Sequence, residues 1–289
     1  MNVAGNARCH HPKRPLSHRI GRAVIYLLLA AGMLVCLFPL AWMLCTALKD
    51  YKETLIIPQS FLPKAWKWSN FPEALRAFPF WKYLRNTLFL VVAETVGGVF
   101  ANTLTGYAFS RLRWPGREFF FKIMLATMML PGVVTMVPTY ILYHKFGWFN
   151  TYWPFIIPPL TAPGASAFLM RQFLRTIPMD MTESARIDGA GEFRIYWQIT
   201  MPLCVPIIVT MAVMSFGMVW NDYLGPLLYL NSDDMYTLNY GLALFRGKDN
   251  TDWPHLMAAS LVVAAPTVLL FFFAQSAFVE GITLTGVKG

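Results

Sequence analysis

Pro178-Met179-Asp180-Met181-Thr182-Glu183-Ser184-Ala185-Arg186-Ile187-Asp188-Gly189-Ala190-Gly191, continuing through Ile199-Thr200-Met201-Pro202 to Pro206, is a polar island between two long apolar tracts. Pro178 suits the first turn of a helix, where a missing N–H costs nothing. Asp180 and Glu183 follow where a helix N-terminus favours negative charge. Gly189 and Gly191 permit a sharp break, and the pattern predicts a second short helix from Glu192 to about Met201. Phe193, Tyr196 and Trp197 fall at i, i+3 and i+4, so they are expected on one face. A helix–turn–helix that is charged on one side and aromatic on the other is a docking element. Its bland alternative is an ordinary amphipathic loop.

The flanking tracts decide the class. Of 289 residues, 56% are hydrophobic and only 13% charged, with a mean hydropathy of +0.46. Soluble chains carry about a quarter charged residues, so this composition points to a membrane. The net charge of +9 collects largely in short segments beside apolar runs, which fits orientation in a bilayer better than nucleic-acid binding. No nucleic-acid partner is expected. Cys9, Cys36, Cys45 and Cys204 are scattered and form no disulfide framework. Cys9, His10 and His11 lack metal-ligand spacing and read as tail. No Gly-rich phosphate loop ending in Lys-Ser or Lys-Thr occurs, so no ATP site is expected in this chain.

The pattern predicts an all-α polytopic membrane protein with six transmembrane helices. Residues 1–22 form a basic cytoplasmic tail and 23–279 the membrane domain. Its spans are Ala23–Ala47, Tyr83–Phe109, Phe119–Tyr143, Tyr152–Phe173, Leu203–Leu224 and Leu256–Val279. The polar loop 176–206 then lies between spans four and five, and 280–289 form a second cytoplasmic tail. Segments 48–82 and 226–255 read as outside loops, and Trp220 to Tyr223 as an outer-interface cluster. Pro131 and Pro138 break span three, and span four contains Pro154, Pro158, Pro159 and Pro163; carbonyls freed by proline are tolerated only beside protein or a cavity.

Glu94, Gly98, Ala101, Asn102 and Thr105 make one small, polar stripe on span two. An intramembrane carboxylate faces a bundle interior or wet cavity. Two readings stand for Glu94, a pathway residue or an interhelical hydrogen bond. Asn86, Asn102, Asn221, Trp220 and Tyr107 are further pathway candidates, each equally readable as an anchor or packing residue. A secondary transporter would need several such ionisable groups, and a membrane enzyme a convergent polar cluster. Neither is evident in the spans.

The polar island resembles the cytoplasmic signature of the permease subunits of binding-protein-dependent ABC importers. That signature is Glu-Ala-Ala, three residues, Gly, nine residues, Ile, any residue, Leu-Pro. Glu183, Ala185, Gly189, Ile199 and Pro202 fall at its offsets, while Ser184 and Met201 depart from it. Gly106 to Arg111 with Pro115-Gly116, Met129-Leu130-Pro131 and Phe168 to Phe173 also resemble sugar-importer permeases. The ending, Phe278 to Thr283 with Gly286 to Gly289, resembles the maltose-type second permease. The resemblance implies a sugar importer of the oligosaccharide class in a bacterial or archaeal plasma membrane, with both termini cytoplasmic. Its partners would be a second similar permease, two ATPase subunits that bind ATP and Mg, an extracytoplasmic sugar-binding protein and the lipid bilayer. Permeases for glycerol phosphate or another small solute share the superfamily. The resemblance makes Glu183, Ser184, Ala185, Arg186, Asp188 and Gly189 the ATPase-coupling residues, with Glu183 the main docking carboxylate. It also brings the tail from Glu280 against the ATPase dimer. A local Glu183–Arg186 pair competes for the same charges.

Overall fold

The structure, a computed structural model, describes residues 16–245 and 251–286. The expected metal-poor tail with Cys9, His10 and His11 lies outside them, as do residues 287–289. Among the described residues every element is helical, with no strand.

The chain opens with α1 (Leu16–Ala47), which starts inside the expected basic tail and ends where Asn70 donates to the carbonyls of Ala47 and Lys49, at 2.8 and 2.8 Å. Two short helices follow, α2 (Tyr51–Thr54) and α3 (Asn70–Arg76). The central element is α4 (Phe80–Arg111), proline-free and about 48 Å long at 1.5 Å per residue. It packs against α7 (Trp153–Leu160), α8 (Gly164–Leu174) and α12 (Val205–Trp220). Between them lie α5 (Arg117–Met128) and α6 (Gly132–Lys145), then α9 (Asp180–Ile187), α10 (Glu192–Arg194) and α11 (Met201–Leu203). Beyond α12 come α13 (Leu224–Tyr229), α14 (Leu238–Phe245) and the long α15 (Trp253–Gly286), which packs on α1, α3 and α12.

Among the described residues, three helices are long and apolar enough to cross a membrane: Val24–Ala47, Phe80–Arg111 and Trp253–Gln275. Expected spans one, two and six correspond to these. Span three is two helices, α5 and α6, bent by 100° at Met129 to Pro131. Pro131 has no N–H to continue the ladder and takes an extended conformation. Span four is likewise divided, α7 and α8 being separated at Thr161 to Pro163, where Ala162 has φ 55°. Span five is shorter than expected. α12 has 16 residues and leaves the preceding segment Glu192–Leu203 at 80°.

The expected outside loop 226–255 is largely helical, through α13, a 3₁₀ turn Asp233–Met235 and α14. Its Leu230 and Leu238 are buried, Leu238 beside Thr87 near the N-terminal end of α4. Trp220, expected at the interface, is instead buried, stacks on Phe216 and donates to the Val263 carbonyl at 2.9 Å. The tail expected from Glu280 begins as the last turns of α15, which runs to Gly286.

A candidate coupling helix and its anchorage

The helix expected after Pro178 forms as α9, one residue after Met179, with Asp180 and Glu183 in its first turn and Arg186 in its last. It ends on a Schellman pair. Gly189 N–H donates to the Arg186 carbonyl at 3.0 Å, and Ala190 N–H to the Ala185 carbonyl at 2.9 Å. Gly189 has φ +81°, the left-handed conformation that this closure requires. No atom lies within 4 Å of a Cβ built there, so backbone conformation rather than space selects glycine.

α9 has one buried edge, Thr182 and Ala185. Ala185 belongs to a core cluster with Tyr107 of α4, Met170, Phe173 and Leu174 of α8, and Ile207 and Met211 of α12. This cluster fixes the hairpin to three membrane helices at once. α4 and α8 approach so closely that a Cβ at Gly106 would stand 2.6 Å from the Met170 side chain. Arg111, 2% exposed, ties α4 to the start of the loop. It donates to the carbonyls of Leu174 at 2.7 Å and Ile177 at 2.8 Å, supplying partners at the C-terminus of α8.

The charges divide unexpectedly. Arg186 does not pair with Glu183. Its guanidinium donates to Glu192 at 2.6 and 3.2 Å, and Tyr107 Oη donates to the same carboxylate at 2.9 Å. The hydrogen bond from Arg186 holds the Glu192 carboxyl below its ordinary value, and Glu192 in turn strengthens protonation of Arg186. Glu183 is exposed, and among the described residues its side chain makes no hydrogen bond or ion pair. It lines a groove of about 660 Å³ with Arg111, Trp114, Ile187 and Glu192. Ser184 and Asp188 are exposed beside it, and Ile187 is 86% exposed.

Phe193, Tyr196 and Trp197 adjoin as expected, the Tyr196 ring lying 6.2 and 6.3 Å from those of Phe193 and Trp197, but they differ in burial. Ile195–Thr200 is a π-helix, whose wider turn carries Tyr196 inward. Its hydroxyl meets that of Thr103 at 2.9 Å. Phe193 and Trp197 stay outside, 71% and 57% exposed.

The pathway candidates do not converge. Asn86 is buried and donates to the carbonyls of Asp234 and Tyr236 at 2.7 and 3.0 Å, holding the outer 3₁₀ turn against α4. Asn102 is buried and donates to Gly98 at 2.7 Å within its own helix, while its amide oxygen has no partner. Asn221 is exposed and bonds back to Gly217 at 2.7 Å. Glu94 faces a cavity of about 290 Å³, with Asp222, Phe155, Tyr229 and the prolines of α7.

Glu192 and Arg111 carry the site's anchorage without a signal in local spacing. Glu192 is six residues from Arg186, outside the i, i+4 rule, and Arg111 reads as orientation charge. A span-terminal arginine beside a helix end that lacks acceptor partners is the pattern that would find it.

Residues 95–282 match the family of the binding-protein-dependent transport system inner membrane component. The chain belongs to that family. Over 281 residues it is 35% identical to the inner membrane ABC transporter permease protein YcjP of Escherichia coli (strain K12), covering 96% of this chain and 99% of the relative. It is 35% identical over 210 residues to the arabinooligosaccharides transport system permease protein AraQ of Halalkalibacterium halodurans, 73% of this chain and 75% of that one. It is 31% identical over 265 residues to the sn-glycerol-3-phosphate transport system permease protein UgpE of Yersinia pestis, covering 89% and 94%. The fold matches a chain in the crystal structure of a bacterial ABC transporter involved in the import of the acidic polysaccharide alginate. That match has a TM-score of 0.82 at 22% identity, covering 92% of this chain and 99% of the other. This permease is thus one of the membrane subunits of ABC transporters.

Proposed function

We propose that this permease forms half of the translocation pathway of an ATP-driven importer of the oligosaccharide class, and that α9 is its coupling helix. The observation that carries the reading is the division of charge at the hairpin. Glu192 and Arg186 satisfy each other, whereas Glu183 stands unpaired on a rigid helix above an open groove. A separate ATPase with a basic or donor-lined cleft would complete it. Closure of the ATPase pair on ATP would then move α9, and the packed cluster would pass that displacement to α4, α8 and α12 as a unit, since packed cores respond as blocks.

Six spans complete the topology, with α5–α6 and α7–α8 each read as one broken span and both termini on the side of α9. ATP and Mg belong to two partner ATPase subunits, and a second permease and an extracytoplasmic sugar-binding protein complete the importer in the inner membrane. Glu94 is the pathway residue of choice because it faces a cavity.

The oligosaccharide class is favoured by the likeness to an arabinooligosaccharide permease. A glycerol-phosphate importer is the second reading, favoured by the likeness to UgpE over most of the chain. ATP-driven uptake by the reconstituted importer distinguishes them. A neutral oligosaccharide that enters, and that glycerol 3-phosphate does not compete out, supports the first reading. Uptake of glycerol 3-phosphate alone overturns it.

A further inference from the structure

The turn between α4 and α5 forms one wall of a hollow of about 300 Å³. Its lining includes Arg111, Arg113, Arg117 and Arg175 and no acidic residue. Two of these cations are already engaged. Arg111 is buried among backbone carbonyls, and Arg117 bonds the Leu112 carbonyl at 3.0 Å and Glu118 at 3.0 Å. Arg113 and Arg175 are exposed, and among the described residues their guanidinium groups make no hydrogen bond or ion pair. Cations gathered around one hollow repel each other unless an anion lies between them. A tetrahedral phosphate diester fits the forked donors of two or three arginines.

The surroundings specify the rest of the occupant. On the other side of the turn, Trp114 and Phe119 line a second hollow of about 390 Å³. Phe119 is 64% and Phe120 53% exposed, at the first turn of α5. Further along α5, Ile123 and Met128 are 46% and 43% exposed. A basic hollow, then an aromatic belt, then a bare apolar helix is the order of headgroup, interface and acyl chains. Glu118, bridging Arg117 and Arg171 at 3.0 and 3.4 Å, lies outside the basic hollow and offsets Arg117, leaving Arg111, Arg113 and Arg175 as its charge excess.

We infer that this hollow binds the phosphate of an anionic phospholipid in the leaflet on the coupling-helix side, with acyl chains along α5. The site stands on the same end of α4 as the hairpin, through Arg111, so the bound lipid braces the turn from which the coupling helix is held. The inference rests on the membrane placement proposed above and is independent of the transported solute.

The test uses the assembled, detergent-purified importer, with retained phosphatidylglycerol counted by native mass spectrometry against phosphatidylcholine. The variants are Arg113→Gln with Arg175→Gln, the charge-keeping Arg113→Lys with Arg175→Lys, and Arg22→Gln as a distant loss of charge. Each arginine removed from the hollow should weaken phosphatidylglycerol retention roughly five-fold. The lysine pair, which keeps the charge but not the fork, should retain more than the glutamine pair, and Arg22→Gln should match the parent. Four results would overturn the proposal. Retention by the glutamine pair equal to the parent's is one, and equal displacement of phosphatidylglycerol by phosphatidylcholine is another. Inorganic phosphate competing as well as the lipid would mark a small-anion site. Loss of the ATPase subunits with lipid retained would mark a protein contact instead.

Discussion

The two ends of α4 handle charge in opposite ways. At the outer end, polar groups close on one another. Lys82 bridges Asp233 and Asp234 at 3.1 and 2.7 Å, Tyr83 bonds Asp233, and Asn86 supplies two donors to the same turn. At the inner end, Arg186, Glu192 and Tyr107 close on one another, but Glu183, Ile187, Phe193 and Trp197 face outward. The outer end is a finished latch. The inner end has a finished base and, beyond it, an unpaired carboxylate and bare aromatic rings that the proposed ATPase contact would cover.

The widest separation between the ends comes from charge reversal. Glu183→Lys should lower ATP-driven uptake at least 30-fold, since an interfacial charge pair lost and made repulsive costs about 2–5 kcal/mol. Its thermal unfolding should match the parent, because no internal bond is removed. An unfolding midpoint that drops with uptake would make Glu183 structural and erase the contrast.

Asn86→Ala reverses the pattern. Two outer carbonyls lose their donor, for about 1–3 kcal/mol of stability, while the KM for sugar should not change. A raised KM with unchanged melting would return Asn86 to the pathway.

Gly189→Val forces a β-branched residue into the left-handed region at about 1–2 kcal/mol. It should reduce coupled ATP hydrolysis, and Gly189→Asn, which tolerates that conformation, should recover most of it. Equal activity of the two variants would show that the Schellman closure does not matter.

The smallest effect belongs to Glu192. Its pKa in the folded state lies below the ordinary 4.5, so its pairing contributes in full above that value and is lost as pH falls through the lowered one. Both partners are partly exposed to solvent that screens the pair, so Glu192→Gln should cost only about 0.5 kcal/mol at neutral pH. It should also flatten the acid side of the melting profile. An unchanged profile would remove the pair from the base of the hairpin.

These contrasts follow the line between what sequence makes legible and what it does not. Apolar length located α1, α4 and α15, and the Asp180, Glu183 and Gly189 pattern located α9 with its closing turn. Both are local properties of a few turns of chain. The pairing of Arg186 with Glu192, and the reach of Arg111 to Leu174 and Ile177, depend on where separate helices come to lie. Helical periodicity grouped Tyr196 with Phe193 and Trp197 but did not show its burial, because it assumes a uniform 3.6-residue turn and the π segment breaks that uniformity. Asn86 and Asn102 bond backbone carbonyls, a use their spacing did not show, because a buried amide has the same sequence appearance whether it binds a ligand or a backbone carbonyl. The helical outer loop was hidden by its polar residues, which Lys82, Tyr83 and Asn86 satisfy from another part of the chain.

The central claim is that the coupling helix and the inner end of α4 move as one body. Spin labels at Ile187 on α9 and Leu104 on α4, both exposed, measure it in the assembled importer. Pulsed dipolar spectroscopy in nucleotide-free and ATP-trapped states should give one narrow distance that does not change while uptake proceeds. A distance that shifts or broadens between the two states would show the hairpin swinging on its own and contradict the account.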